Sequence, residues 1–432
     1  MAELTLPFEG LPPIWVAAFS VAFAVIVGML VWTALLFVRA QHSRRNPPAA
    51  SSDDTAGFTW VFVVPALNEE LTIRDSVERL LNVEVERRRI VVVDDGSDDR
   101  TPEILREIAD PDLSVIRRER PEARRGKAAA LNRAYRSLDQ VLGDEDRSRV
   151  IVVVVDADGR LDPRAPGYAA AQLADPEVGG VQALVRIYNR GNFLTLMQDV
   201  EFSVYGCLYQ SGRNDWGTAG MGGNGQFNRL SALDDVADAE GPWRDRLTED
   251  QDLGLRLIGA GWRGRQDLRA VVEQQGPSGL RALFRQRTRW SQGNLQAMGL
   301  IDTVWGAPIP LLARAEQVAY LLMPLWQGIV GAALIAGVVL GITGETTFWD
   351  GGDVWLLVFF YLLGFGGTMM GCVAAGLRQG GPGPLAGFLI AQVYAFYSWL
   401  LWPVLARSTV RQLTERRDWV KSEREALPAG QH

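Results

Sequence analysis

Short clusters of carboxylates are the first residues in this chain that could do chemistry. Asp156-Ala157-Asp158 closes a run of β-branched residues at 150–156, Asp94-Asp95-Gly96-Ser97 closes another at 89–94, and Asn68-Glu69-Glu70 follows a third at 59–65. Two carboxylates two residues apart at a buried strand end repel each other and call for a cation. Mg2+ or Mn2+ held by one or two carboxylates plus substrate phosphates meets that need, so Asp156 and Asp158 are the candidate metal ligands. A turn followed by a helix start accounts for residues 94–97 equally well when they are taken alone. Glu249 and Asp250 follow Thr248 at the head of a helical pattern, where Thr248 is the expected cap and the two acids suit the positive helix end.

The cations narrow the field. Gly126-Lys127-Ala128 lacks the Ser or Thr and the upstream glycine of a phosphate-binding P-loop, which excludes an ATPase of that kind. In Gln286-Arg287-Thr288-Arg289-Trp290, an amphipathic helix on a membrane surface would use Arg281, Arg285, Arg287 and Arg289 as its basic face. The only histidines are His42 and His432, which rules out a histidine triad or a histidine metal site. Cys207 and Cys372 have no spacing that suggests zinc or a disulfide framework. A net charge of −7 argues against a nucleic-acid partner.

The elements that must position these groups alternate strand and helix. Apolar β-rich runs at 59–65, 89–94, 113–117 and 150–156 are separated by helical patterns at 71–81, 102–108 and 126–137. That order predicts an α/β domain with a mainly parallel sheet covered on both faces, and ligands in such sheets bind beyond the carboxyl ends of the strands.

Taken in order, PALNEE (65–70), DDGS (94–97), RGKAAALN (125–132), Asp156-Ala157-Asp158, GGNGQF (222–227), Thr248-Glu249-Asp250 and QRTRW (286–290) resemble the family 2 glycosyltransferases. The likeness points to the membrane branch that contains cellulose, chitin, hyaluronan and poly-N-acetylglucosamine synthases. It implies a GT-A fold, a UDP-sugar donor of the glucose or N-acetylglucosamine type, a divalent metal and inversion at the anomeric carbon. On that resemblance Pro65, Asn68, Glu69, Asp94, Asp95 and Lys127 surround the nucleotide, with Asp156 and Asp158 on the metal. Gln286 and Arg289 reach the diphosphate, Arg being suited to bidentate phosphate contact. Trp290 offers an apolar face to donor or acceptor sugar, and Gly223, Asn224 and Gly225 let backbone approach the acceptor. Glu249 and Asp250 supply the catalytic acids, with Asp250 the base for the acceptor hydroxyl.

Uncharged apolar runs at 14–38, 318–342, 354–377 and 385–406 are each long enough to cross a hydrocarbon core of roughly 30 Å. The first is too long for a cleaved signal peptide and has no basic residue before it, so it reads as an anchor. Arg39, His42, Arg44 and Arg45 behind it predict a cytoplasmic central region. The domains expected are an N-terminal helix (1–40), a linker (41–57), a GT-A domain (58–275), interface helices carrying QRTRW (276–312), three apolar segments (313–406) and a basic tail (407–432).

If all three later segments cross, the tail lies outside, yet Arg407, Arg411, Arg416, Arg417, Lys421 and Arg424 favour the inside. The tail's Trp419-Val420-Lys421-Ser422-Glu423-Arg424 resembles an ending seen in relatives of this branch; contact with anionic lipid would explain it as well. The expected product is a growing β-linked polysaccharide or oligosaccharide, with a homo-oligomer or export partner completing a path that four helices would leave narrow. The alternative is single-sugar transfer to a membrane lipid, as in ceramide glucosyltransferases. High Ala, Gly and Arg content suits a bacterial cell membrane.

Overall fold

The computed structural model describes residues 11–50, 52–343 and 354–415. Its centre is an eight-stranded sheet: β1 (Thr59–Ala66), β2 (Arg88–Asp94), β3 (Leu113–Arg117), β4 (Val150–Val154), β5 (Arg160–Leu161), β6 (Val178–Ile187), β7 (Gln226–Arg229) and β8 (Arg263–Gln274). The spatial order is β3-β2-β1-β4-β7-β6-β8-β5. β3, β2, β1 and β4 run parallel, β7 lies antiparallel between β4 and β6, and β6 pairs in parallel with β8. The expected α/β fold of GT-A type is therefore present, with a mixed second half.

Alternation along β1 explains why both faces must be covered. Trp60, Phe62 and Val64 point into one core with Ile73, Val77 and Leu80 of the helix Ile73–Leu81. Val61 and Val63 point into the other, with Leu131 and Leu138 of the helix Lys127–Leu142 and Leu253 and Leu257 of the helix Glu249–Gly259. Each uniformly apolar strand is thus clamped between helices, and its polar end emerges at one rim of the sheet.

Among the described residues, four helical stretches are long and apolar enough to cross a membrane: Pro13–Arg45, Met323–Thr343, Val358–Gly376 and Pro384–Leu413. The first, at 33 residues, is about 50 Å long and outreaches a bilayer core. Its last turns dock on the sheet domain, where Leu36 is fully buried and the Arg39 guanidinium lies 3.8 Å from the Trp216 ring centre.

The last stretch is kinked and not a single straight helix. It is two helices, Pro384–Leu400 and Trp402–Leu413, separated at Leu401, with Pro403 unable to donate the bond that would continue the first. Pro384–Leu400 runs antiparallel to Val354–Gly376 through close glycine contacts, Gly387 against Cys372 and Gly376 against Gly383. Near its far end the Tyr397 hydroxyl donates to Glu201 of the sheet domain at 2.9 Å. Trp402–Leu413 then packs along the helix Leu280–Ala297, with the Ser408 and Ser291 hydroxyls 2.7 Å apart and Arg411 donating to Gln292 at 3.3 Å. Both helices of the segment therefore touch the sheet domain or the QRTRW helix. Residues 419–424 of the basic tail lie outside the described residues.

Candidate active site

A cleft of about 790 Å3 opens beyond the carboxyl ends of β1 and β4. Pro65, Glu69, Asp95, Lys127, Asp156, Asp158, Gly223, Asn224, Glu249, Asp250, Gln286, Arg289 and Trp290 all line it. Strand ends, a glycine-rich loop, a helix N-terminus and the QRTRW helix, far apart in sequence, thus share one cavity.

Asn68, Asp94 and Gly225 are not among the residues lining the cleft. Asn68 has a left-handed φ of 53°, and its amide donates to Asp98 Oδ1 at 2.6 Å while its Oδ1 accepts from the Asp98 N–H at 3.0 Å. Asp94 accepts from Arg117 at 2.6 Å and from the Ser97 N–H at 2.9 Å. Both side chains lace the β1 and β2 loops into a frame. At Gly225, φ is 71° and a Cβ would stand 2.5 Å from Val272, so this glycine permits the close approach of β7 to β8.

Lys127 is the electrostatic centre. Its Nζ donates to Asp156 Oδ1 at 2.5 Å and to the Gly223 carbonyl, and lies 3.8 Å from Glu249 Oε1. Burial alone would lower its pKa, but Asp156 and Glu249 outweigh that and hold it above the ordinary lysine value. The Asp156 N–H donates to Asn224 Oδ1 at 3.1 Å, and Asp158 Oδ2 accepts from the Gln275 N–H at 3.0 Å. Gln182 of β6 clamps the glycine-rich loop, donating to the Asn224 carbonyl and accepting from the Gly222 N–H, each at 2.7 Å. A side chain at Gly223 would put its Cβ 3.2 Å from Asp250 Oδ2 and 3.3 Å from Lys127 Nζ, so the glycine lets the loop reach both charges.

Glu249 and Asp250 open the helix Glu249–Gly259. Thr248, expected to cap it, makes no capping bond; its hydroxyl donates to Gln251 Oε1 at 3.4 Å, and Gly293 packs against its side chain. Burial pushes the Glu249 carboxyl up to about 7, against the pull of Lys127 and with help from the Asp250 charge. Burial likewise raises Asp250, opposed by Lys127.

The QRTRW helix divides its cations differently from the expected basic face. Arg281 and Arg285 are exposed, Arg289 lines the cleft, and Arg287 is buried. Arg287 pairs with Glu201 at 2.8 Å and stacks over the Trp290 ring at 4.1 Å, and the Phe202 ring meets Trp290 edge-on with centroids 5.9 Å apart. A buried cation needs a carboxylate, and Glu201 from the helix Phe193–Val204 supplies it.

A second buried pair, Arg213 and Glu316 at 2.8 Å, receives the Trp32 indole N–H from the first apolar helix at 3.1 Å. Arg213 also stacks on Tyr320 at 4.2 Å, beside a Tyr205–Tyr320 hydroxyl contact of 3.1 Å. Arg213, Tyr205, Tyr320, Glu201 and Gln182 all line the cleft but stand in no motif. Gln182 and Glu201 show in the sequence as polar residues inside apolar stretches; Tyr205, Arg213 and Tyr320 carry no such signal.

The family model "Glycosyltransferase like family 2" matches residues 59–293, more than half of the chain. The chain belongs to family 2 of the glycosyltransferases. It is 32% identical over 298 residues to a beta-monoglucosyldiacylglycerol synthase of Synechocystis sp., covering 66% of this chain and 59% of that protein. It is 29% identical over 261 residues to a poly-beta-1,6-N-acetyl-D-glucosamine synthase of Staphylococcus aureus, covering 60% and 59%. The chain thus spans about three fifths of the length of these curated relatives. Among solved structures, the mannosyltransferase PcManGT of Pyrobaculum calidifontis, in complex with GDP-Man and Mn2+, superposes with a TM-score of 0.61. That match covers 93% of this glycosyltransferase and all of the other chain at 20% identity, a likeness of fold.

Proposed function

We propose that this glycosyltransferase moves a sugar from a UDP-sugar, of the glucose or N-acetylglucosamine type, to a hydroxyl acceptor at the membrane with inversion and with Mg2+ or Mn2+. The observation that carries the reading is the convergence of Lys127, Asp156, Asp158, Glu249, Asp250 and Arg289 in one cleft. Among the described residues no cluster of three or more His, Cys, Asp or Glu could hold a metal alone. Asp156 and Asp158 at the cleft wall fit a metal that takes its remaining ligands from a diphosphate. The bound ion would neutralise charge on the departing nucleotide.

Lys127 and Arg289 add fixed positive charge beside it, and Glu69 and Asp95 face the nucleoside. Asp250, raised toward neutrality and packed against Gly223, accepts the acceptor proton as the new bond forms. Glu249 keeps Lys127 in place. The sheet domain lies on the cytoplasmic side, where the basic residues after the first helix favour it.

A growing β-linked glycan is one acceptor consistent with the motifs, and the S. aureus relative bears a polymer synthase's name. The small membrane part favours a second reading: the four candidate membrane helices among the described residues are few to enclose a polymer path, and a membrane lipid needs none. The test is purified full-length protein with labelled UDP-glucose, UDP-N-acetylglucosamine or GDP-mannose, with and without Mn2+, followed by sizing of the product. Metal-dependent transfer from a UDP-sugar is expected; transfer unchanged by a strong chelator, or only from GDP-mannose, would overturn the reading.

A further inference from the structure

At the membrane edge of the cleft lies a smaller pocket of about 90 Å3. Gln251, Asn294 and Tyr320 line both cavities, forming a common wall. The outer wall is Met323, Pro324 and Gln327, the first turns of the apolar helix Met323–Thr343. Gln251 is the residue after the proposed base, and its N–H donates to Asp250 Oδ1 at 2.8 Å.

The chemistry of this pocket is unusual for its place. Gln327 is the only amide side chain in an otherwise apolar helix, and it is exposed. Polar side chains at membrane depth are costly and mark functional paths. Neither the Gln327 amide nor the Asn294 amide hydrogen-bonds to any described protein group. The Gln251 amide contributes only its oxygen, to Thr248. Several carboxamides with spare donors and acceptors therefore converge on one small space beside the base.

Resting on the transferase reading above, we propose that this pocket is an acceptor subsite for the small oxygen-bearing head of a membrane lipid. Its acyl chains would leave along Met323–Thr343, whose Leu334, Ile335, Val338 and Val339 are exposed. At about 90 Å3 the pocket is far smaller than the main cleft and seats a small head group, with the rest of the molecule outside it. The head's free hydroxyl then points past Tyr320 and Gln251 toward Asp250, while Asn294 and Gln327 hold its neighbouring oxygens.

The test uses full-length protein in phosphatidylcholine vesicles containing 1,2-dioleoylglycerol, with whichever labelled UDP-sugar the parent hydrolyses. Organic-phase product and free sugar are counted separately. In Asn294→Leu and Gln327→Leu, lipid transfer should fall at least ten-fold relative to donor hydrolysis, and Gln327→Asn should recover part of it. Leu389→Ala, exposed on the helix Pro384–Leu400 and away from the pocket, should match the parent. Lipid transfer equal to the parent's in both leucine variants, or a parent that extends a soluble β-glucan oligosaccharide and ignores the lipid, overturns the subsite alone. A parent that neither hydrolyses nor transfers any UDP-sugar overturns the transferase reading and the subsite with it.

Discussion

The half of the cleft proposed to hold the donor nucleotide and the half facing the apolar helices are built by different means. The donor half stands on β1, β2 and β4, where each polar cluster follows the apolar strand that delivers it. The other half is assembled from the helices Phe193–Val204, Glu249–Gly259, Leu280–Ala297 and Leu311–Leu321, with apolar segments buttressing it through Trp32 and Tyr397. Acids in the first are held within it, Asp156 by Lys127 and Asp158 by the Gln275 N–H, whereas the second rests on the buried pairs Arg213–Glu316 and Arg287–Glu201. Changes in the two halves should therefore fail in different ways.

The largest effect should come from Asp250→Asn. Loss of the general base should cut transfer on the order of 10²–10⁴-fold, with UDP-sugar binding by calorimetry close to the parent's. Normal turnover would move the base elsewhere, with Glu249 the next candidate. Arg213→Met should hardly touch the donor half but should leave Glu316 buried without its partner, at about 3–5 kcal/mol. A thermal melt in detergent measures it, and an unchanged midpoint would mean the pair contributes nothing. On the donor side, Asp158→Ala should weaken Mn2+-dependent UDP binding about ten-fold or more without shifting the melt by a comparable amount.

The pH dependence sharpens the contrast further. Because burial raises the Glu249 carboxyl to about 7 and Asp250 in the same direction, the folded protein holds protons that the unfolded chain has released. That contribution to stability is fully present below the unfolded carboxylate values and is lost as pH rises through about 7. Transfer that needs Glu249 ionised to hold Lys127 should run the opposite way, rising through the same window. A flat rate profile between pH 6 and 8, roughly one unit either side of neutrality, would show that Glu249 does not gate transfer. The smallest effect belongs to Tyr397→Phe, which removes one hydrogen bond to Glu201 at about 1 kcal/mol. A modest rise in acceptor KM with kcat kept would indicate that the last apolar segment steadies Trp290 through Glu201 and Arg287.

The same division governs what could be read in advance. Val and Ile runs ending in Asp or Asn announce buried strands with polar tips because local pattern and burial coincide there. Asn68 and Asp94 carry the family motif, yet their hydrogen bonds go to Asp98, Arg117 and Ser97, since a strand end presents groups to its neighbouring loops as well as to the cleft. Arg287 illustrates the converse. In the sequence it is one of four basic residues at helical spacing; the fold buries it because Glu201, 86 residues away, meets it there.

The kink at Leu401 divides in the same way. An apolar run followed by a basic tail was visible, but that Trp402–Leu413 packs along Leu280–Ala297 depends on side chains distant in sequence. The sequence alone determined the α/β class, the apolar helices and the family, because strand burial, helix periodicity and short motifs are local properties. Tertiary structure decided which carboxylates face the cleft, that Lys127 ties Asp156 to Glu249, and that the last helix packs on the QRTRW helix, because these depend on groups that meet across 29 residues in one case and more than a hundred in others.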